Sequence, residues 1–110
     1  MSNSKTIRVL IVEPSKSPYP AEIQSGLESL QSQVGGLIQA LYLFEDSVAI
    51  ICNDEGKLIG LPWNRPLFDE DGQIYDVIAG TFLVAGLTED DFGSLTEEQI
   101  ERYTEAFCLI

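Results

Sequence analysis

Residues 60–72, GLPWNRPLFDEDG, bring together the chain's single tryptophan, two of its five prolines and one of its three arginines. Asn64 donates and accepts hydrogen bonds at once, Arg65 offers a planar fork of donors, and Trp63 presents a flat apolar surface. Pro62 and Pro66 stiffen the frame, so that less entropy is lost on binding. The chemistry implied is recognition of a ligand or partner. A structural reading stands beside it, with Trp63 as a core plug, Asn64 as a turn residue and Arg65 as the ion-pair partner of Asp69 or Asp76. A second stretch, EPSKSPYP (13–20), falls between the first strand and the expected first helix, where free backbone N–H groups attract anions. Lys16, with Ser15 and Ser17, would assist an anion there, and Glu13 would oppose it unless it faces away or receives a ligand donor. Its structural reading is a rigid, proline-rich connection carrying one solvated lysine.

Other chemistries lack their residues. The chain has no histidine, the commonest proton shuttle and metal ligand. Cys52 and Cys108 cannot build a structural zinc site alone. DEDGQIYD (69–76) offers oxygen ligands without the order of acids, mid-loop glycine and closing glutamate that an EF-hand calcium loop needs. No Walker loop, dinucleotide fingerprint or nucleophile elbow appears. Most acidic pairs fall in turns or at a helix start, where solvated carboxylates keep ordinary pKa values. Catalysis would require one of them in an apolar pocket. The residues therefore point to no catalytic group, no metal and no cofactor, and an enzyme working through carboxylates is the weaker alternative.

Charge narrows the partners. Six basic residues stand against eighteen acidic ones, a formal net charge of −12. That imbalance opposes direct binding to nucleic acid or to anionic membranes, because phosphates need cations to replace their counterions. An acidic mimic that competes with nucleic acid for a basic protein is still compatible with it. MSNSKTIRVL shows no signal-peptide pattern, and the nearly apolar run 77–87 is too short and glycine-broken to span a bilayer. The expectation is a cytoplasmic protein with two buried, reduced thiols.

The elements that must position these residues follow from periodicity. TIRVLIV (6–12) is apolar on both faces, as an inner strand is. Ile23, Leu27, Leu30 and Val34 share one helical face, which predicts a helix over about 20–34 with Pro20 in its first turn and Gly35-Gly36 ending it. LIQALYL (37–43) and VAIIC (48–52) read as strands joined by an acidic turn around Glu45-Asp46. NDEG (53–56) reads as a turn into a further meander strand, KLIGL (57–61). After the 60–72 loop, residues 74–86 form a long strand with a bulge or bend at Gly80. Thr96 and Gln99 have capping-box spacing, Leu95 and Ile100 that of a hydrophobic staple, and Tyr103 and Phe107 continue the apolar helix face. The sum is one α+β domain over 1–110. It has a mostly antiparallel sheet of about five strands and two helices on one face, in the order β-α-β-β-β-β-α.

The segments VEP, VGG, ICNDEGKL, GLPWNRPL and IYDVIAGTF, in this order, resemble a family of small domains of unknown function found in Firmicutes, phages and integrative elements. The resemblance runs from Ile7 to about Ala85, and the tail LTEEQIERYTEAF is similar as well. Its most specific part is LPWNRPL, where relatives carry a Leu-Pro-x-Asn-Arg run, so it points to Asn64 and Arg65. It implies no activity. Its phage and mobile-element setting implies an accessory role in host takeover or counter-defence. The reading that results is a non-enzymatic binding or inhibitory module that sequesters a host protein or ligand. Its site residues are Trp63, Asn64, Arg65, Glu13 and Lys16. The alternatives are a small anionic, nucleotide-like ligand held by the Trp63-Asn64-Arg65 loop, and an acidic mimic of nucleic acid.

Overall fold

A computed structural model describes residues 6–42, 47–68, 71–89 and 91–108. The elements are β1 (Thr6–Val12), β2 (Tyr19–Gln24), α1 (Leu27–Val34), β3 (Ile38–Leu41), β4 (Val48–Asn53), β5 (Trp63–Phe68), β6 (Ile74–Ala79), β7 (Phe82–Leu87), β8 (Phe92–Gly93) and α2 (Glu97–Ala106). The fold is α+β. Its main sheet runs β2-β1-β7-β4-β3, with β8 added beside β7, and β5 and β6 form a separate two-stranded ribbon. Every pairing is antiparallel.

The central strands β1, β4 and β7 are apolar on both faces, and each face has its own cover. Leu10, Val12, Ile50, Phe82 and Val84 pack under α2, through Ile100, Tyr103 and Phe107, and under the ribbon, through Leu67 and Ile78. Val9, Ile11, Ile51, Leu83 and Ala85 pack on the opposite side under Leu30 and Val34 of α1. The helices thus lie on opposite faces, not on one. Two-sided apolar strands leave no other solution, because a bare face would stand in water. Phe82 and Phe107 seal the first core edge-to-face, with ring centroids 5.2 Å apart.

The first helix is shorter than its apolar periodicity implies. Residues 19–24 instead pair with β1, Ile23 opposite Ile7 and Pro20 opposite Leu10, and Leu27 is exposed. Ile23 reaches the same core as Leu30 and Val34, so a strand followed by a helix produces the spacing that a single helix would. Pro20 sits in an edge strand, where a missing N–H is tolerated. Gly35 does end α1, in the left-handed conformation, with its N–H and that of Gly36 both donating to the Gln31 carbonyl.

Residues 57–61 are not a strand. The chain from 54 to 60 winds through consecutive turns, held by Ile59 N–H to the Glu55 carbonyl and Leu61 N–H to the Gly56 carbonyl, and leaves Leu58 and Ile59 exposed. Residues 63–68, expected as loop, pair with β6. The break at Gly80 is sharper than a bulge: with φ near 87° it turns the chain out of the ribbon and into the main sheet. A Cβ there would lie 2.6 Å from Leu61 Cδ1. Thr96 and Gln99 form the expected capping box, each side chain bonded to the other's backbone N–H, and Leu95 and Ile100 are both buried. The acidic turn around Glu45-Asp46 lies outside the described residues.

Candidate functional site

The two stretches singled out in the sequence meet in space. Asn64 and Arg65 enter from β5, and the loop between β1 and β2 carries Glu13 and Lys16 over them. Asn64 Nδ2 donates to the carbonyls of Val12 (2.9 Å) and Gly80 (2.8 Å), tying the ribbon to the end of β1. Its Oδ1 accepts from Arg65 Nη1 at 2.7 Å. Arg65 is buried, only 6% exposed. Its Nε donates to the Phe107 carbonyl at 2.9 Å and its Nη2 to the Lys16 carbonyl at 2.6 Å. Nη1 also reaches the Glu13 carbonyl at 3.4 Å. One guanidinium therefore fastens the end of α2, the β1–β2 loop and its own neighbour.

Burial pulls the Arg65 pKa below the usual guanidinium value, and the nearby Cys108 opposes that shift. Carbonyl dipoles, and not a carboxylate, compensate the charge among the described residues. The ion pair with Asp76 considered above is not made, because Asp76 accepts from Lys57. Asp69 lies outside the described residues.

The β1–β2 loop turns at Ser15, whose φ of 61° is left-handed, and Lys16 N–H closes it on the Glu13 carbonyl. It leads into β2 and not into a helix, so the anion argument, which rested on a helix N-terminus following this loop, loses its basis. The Glu13 carboxylate accepts from the Tyr19 hydroxyl and pairs with Lys16 at 3.6 Å. Those contacts hold Glu13 below the ordinary carboxylate range, the Tyr19 bond being the largest cause, and raise the Tyr19 pKa in return.

Trp63 behaves differently from its two neighbours. Its side chain is 63% exposed, although the next two residues are fixed by hydrogen bonds into the body of the domain. It is not a core plug. Further along the ribbon Phe68 and Ile74 stand directly opposite each other across the ladder, and both are exposed.

A cavity of about 350 Å³ lies between the 54–58 turn, the β3–β4 pair and β6. It brings together Cys52, Asp54, Glu55, Lys57 and Asp76. Sequence reasoning did not assemble these residues, because KLIGL was read as a strand. The available signal was Asp76, an acid inside an otherwise apolar strand. Cys52 is buried as expected, whereas Cys108 is exposed.

Among the described residues no group of three or more potential metal-binding side chains occurs, and no helix is long and apolar enough to cross a membrane. A family profile described as a domain of unknown function (DUF3846) spans residues 7–108. The chain belongs to that family. No curated protein and no solved structure matches it.

Proposed function

We propose that this domain is a non-enzymatic binding module that captures a partner protein, with Trp63 as the anchor of the contact. One observation carries the reading: the chain's single tryptophan stands in solvent while the two residues that follow it are hydrogen-bonded into the body of the domain. An aromatic side chain of that size, carried on backbone that is anchored before binding, contributes contact area with only two side-chain torsions to order, and such residues dominate protein interfaces. Asn64 and Arg65 serve the site as its foundation, and Glu13 and Lys16 belong to the loop they hold. Four hydrogen bonds from the Arg65 guanidinium run to protein oxygens, three main-chain carbonyls and Asn64 Oδ1, and the residue is only 6% exposed, so little of it is open to an anion. A protein partner is therefore favoured over a small anionic ligand. The resemblance to phage and mobile-element domains supports a partner drawn from a bacterial host, which the module would sequester or inhibit.

The test is capture from host lysate by the immobilised wild type beside Trp63→Ala, with retained proteins quantified by mass spectrometry. We expect Trp63→Ala to melt within a few degrees of wild type and to lose the proteins that wild type enriches. Equal capture by both would overturn the reading.

A further inference from the structure

We infer that the cavity between the 54–58 turn and β6 receives a basic side chain, arginine or lysine, of the partner protein. The inference rests on the binding-module reading and specifies the partner's chemistry. The lining of the cavity includes the apolar or weakly polar Leu41, Cys52 and Ile78, the last two buried, together with three acids, Asp54, Glu55 and Asp76, of which Asp54 and Glu55 are exposed. Arginine and lysine have the matching construction, an apolar stem ending in a cation. Laid into the cavity, such a side chain covers the apolar groups while its head meets the carboxylates, bidentately if it is a guanidinium.

Charge supports the assignment. Between residues 54 and 76 the sequence holds six acids and two bases, Lys57 and Arg65. Arg65 is buried in the junction, so Lys57 alone of the two lines the cavity, and it is already bound to Asp76. One ammonium against three carboxylates leaves the cavity negative. The Cys52 thiol reports the same field: burial first, then Asp76 and Asp54, push it up to about 11, with Lys57 pulling the other way. The cavity also adjoins the proposed anchor, since its lining residue Ala79 is the cross-strand partner of Trp63. Leu58 and Ile59 extend exposed apolar surface from its turn. A half-exposed lysine can swing away from Asp76 and yield its place to an incoming cation.

The probe is the peptide acetyl-Leu-Arg-Leu-Arg-Leu-amide, with its Gln and Glu counterparts at the two Arg positions. Binding is followed by amide chemical shifts of residues 52–58 and 76–79 and by Trp63 fluorescence. We expect the Arg peptide to shift these amides, the Gln peptide to bind about tenfold more weakly, and the Glu peptide not to bind. The double variant Asp54→Asn/Glu55→Gln should lose about tenfold in affinity, whereas Glu101→Gln/Glu105→Gln, with the same change of net charge on α2, should lose at most about twofold. Lys57→Met, which removes the resident cation, should bind the Arg peptide more tightly. Equal losses in the two double variants, or equal binding of the Gln peptide, would overturn the assignment. The two proposals fail separately. Equal lysate capture by wild type and Trp63→Ala removes the module reading, whereas intact Trp63-dependent capture with no peptide discrimination removes only the basic-side-chain assignment.

Discussion

Arg65 Nη1 donates to Oδ1 of Asn64, its immediate chain neighbour, at 2.7 Å. In a regular strand consecutive side chains point to opposite faces. The β5–β6 ladder shifts register between Trp63 and Pro66, and within that irregularity two successive polar residues work as one unit. Asn64 turns its amide nitrogen to two carbonyls and offers its oxygen to the guanidinium, which carries the grip on to the β1–β2 loop and the end of α2.

Removing the hub should be costly. Arg65→Ala strips at least three backbone carbonyls of a charged donor and leaves a hole, so a loss of roughly 3 kcal/mol or more is expected in urea unfolding. Arg65→Lys, with one compact ammonium in place of a fork, should recover less than half of it. A loss below about 1 kcal/mol for Arg65→Ala would show that the junction is not a stabilising element.

Asn64→Asp is a more selective probe. The change replaces the donating amide nitrogen by an acceptor that faces the Val12 and Gly80 carbonyls. A destabilisation of about 1–3 kcal/mol is expected despite the new charge beside Arg65, and it should exceed that of Asn64→Ala. Thermal melts of the two variants side by side decide the order.

The acid limb of stability should depend on Asp76. Its carboxyl is held below the ordinary value of 3.8, chiefly by the Lys57 bond, with burial opposing and the Val77 N–H assisting. A depressed folded pKa means stability present above pH 3.8 and lost as pH falls through the lower folded value. Asp76→Asn should therefore flatten the stability profile below about pH 4 relative to wild type, with little difference between the slopes at pH 5–7. Exposure of the pair keeps the effect small.

The thiols should separate cleanly. Cys108 is exposed and should react with a thiol reagent at pH 8 in the native protein. Cys52 is buried with its pKa raised to about 11, so it should react only on unfolding. Two fast-reacting thiols would mean that the cavity lining at Cys52 opens.

Much of this architecture was legible in the sequence, and the failures have physical causes. The strands β1, β3 and β4, the Gly35 stop and the α2 capping box follow from local signals, because each is specified by neighbours along the chain. The β2 strand was not legible, since Ile23 serves a core that Leu30 and Val34 also serve, and the spacing of all three fits one helix. The helices' placement on opposite faces was implicit in β1 alone; extending the two-sided test to Ile50/Ile51 and Leu83/Val84 would have shown it. Asn64 and Arg65 stood out by type, but their acceptors are main-chain oxygens 16 to 52 residues away, which no side-chain pattern announces.

The contacts that Arg65 makes with the β1–β2 loop are specified from one side only. Arg65 recognises the carbonyls of Glu13 and Lys16, groups that every amino acid supplies. Arg65 thus adds to the loop's own closure, the Lys16 N–H to Glu13 carbonyl bond, a hold from outside that asks nothing of the loop's side chains. Foreign residues grafted at the exposed positions 16 and 17 would inherit a ready-made presentation scaffold, losing the Lys16–Glu13 pair but keeping the main-chain carbonyls that Arg65 holds.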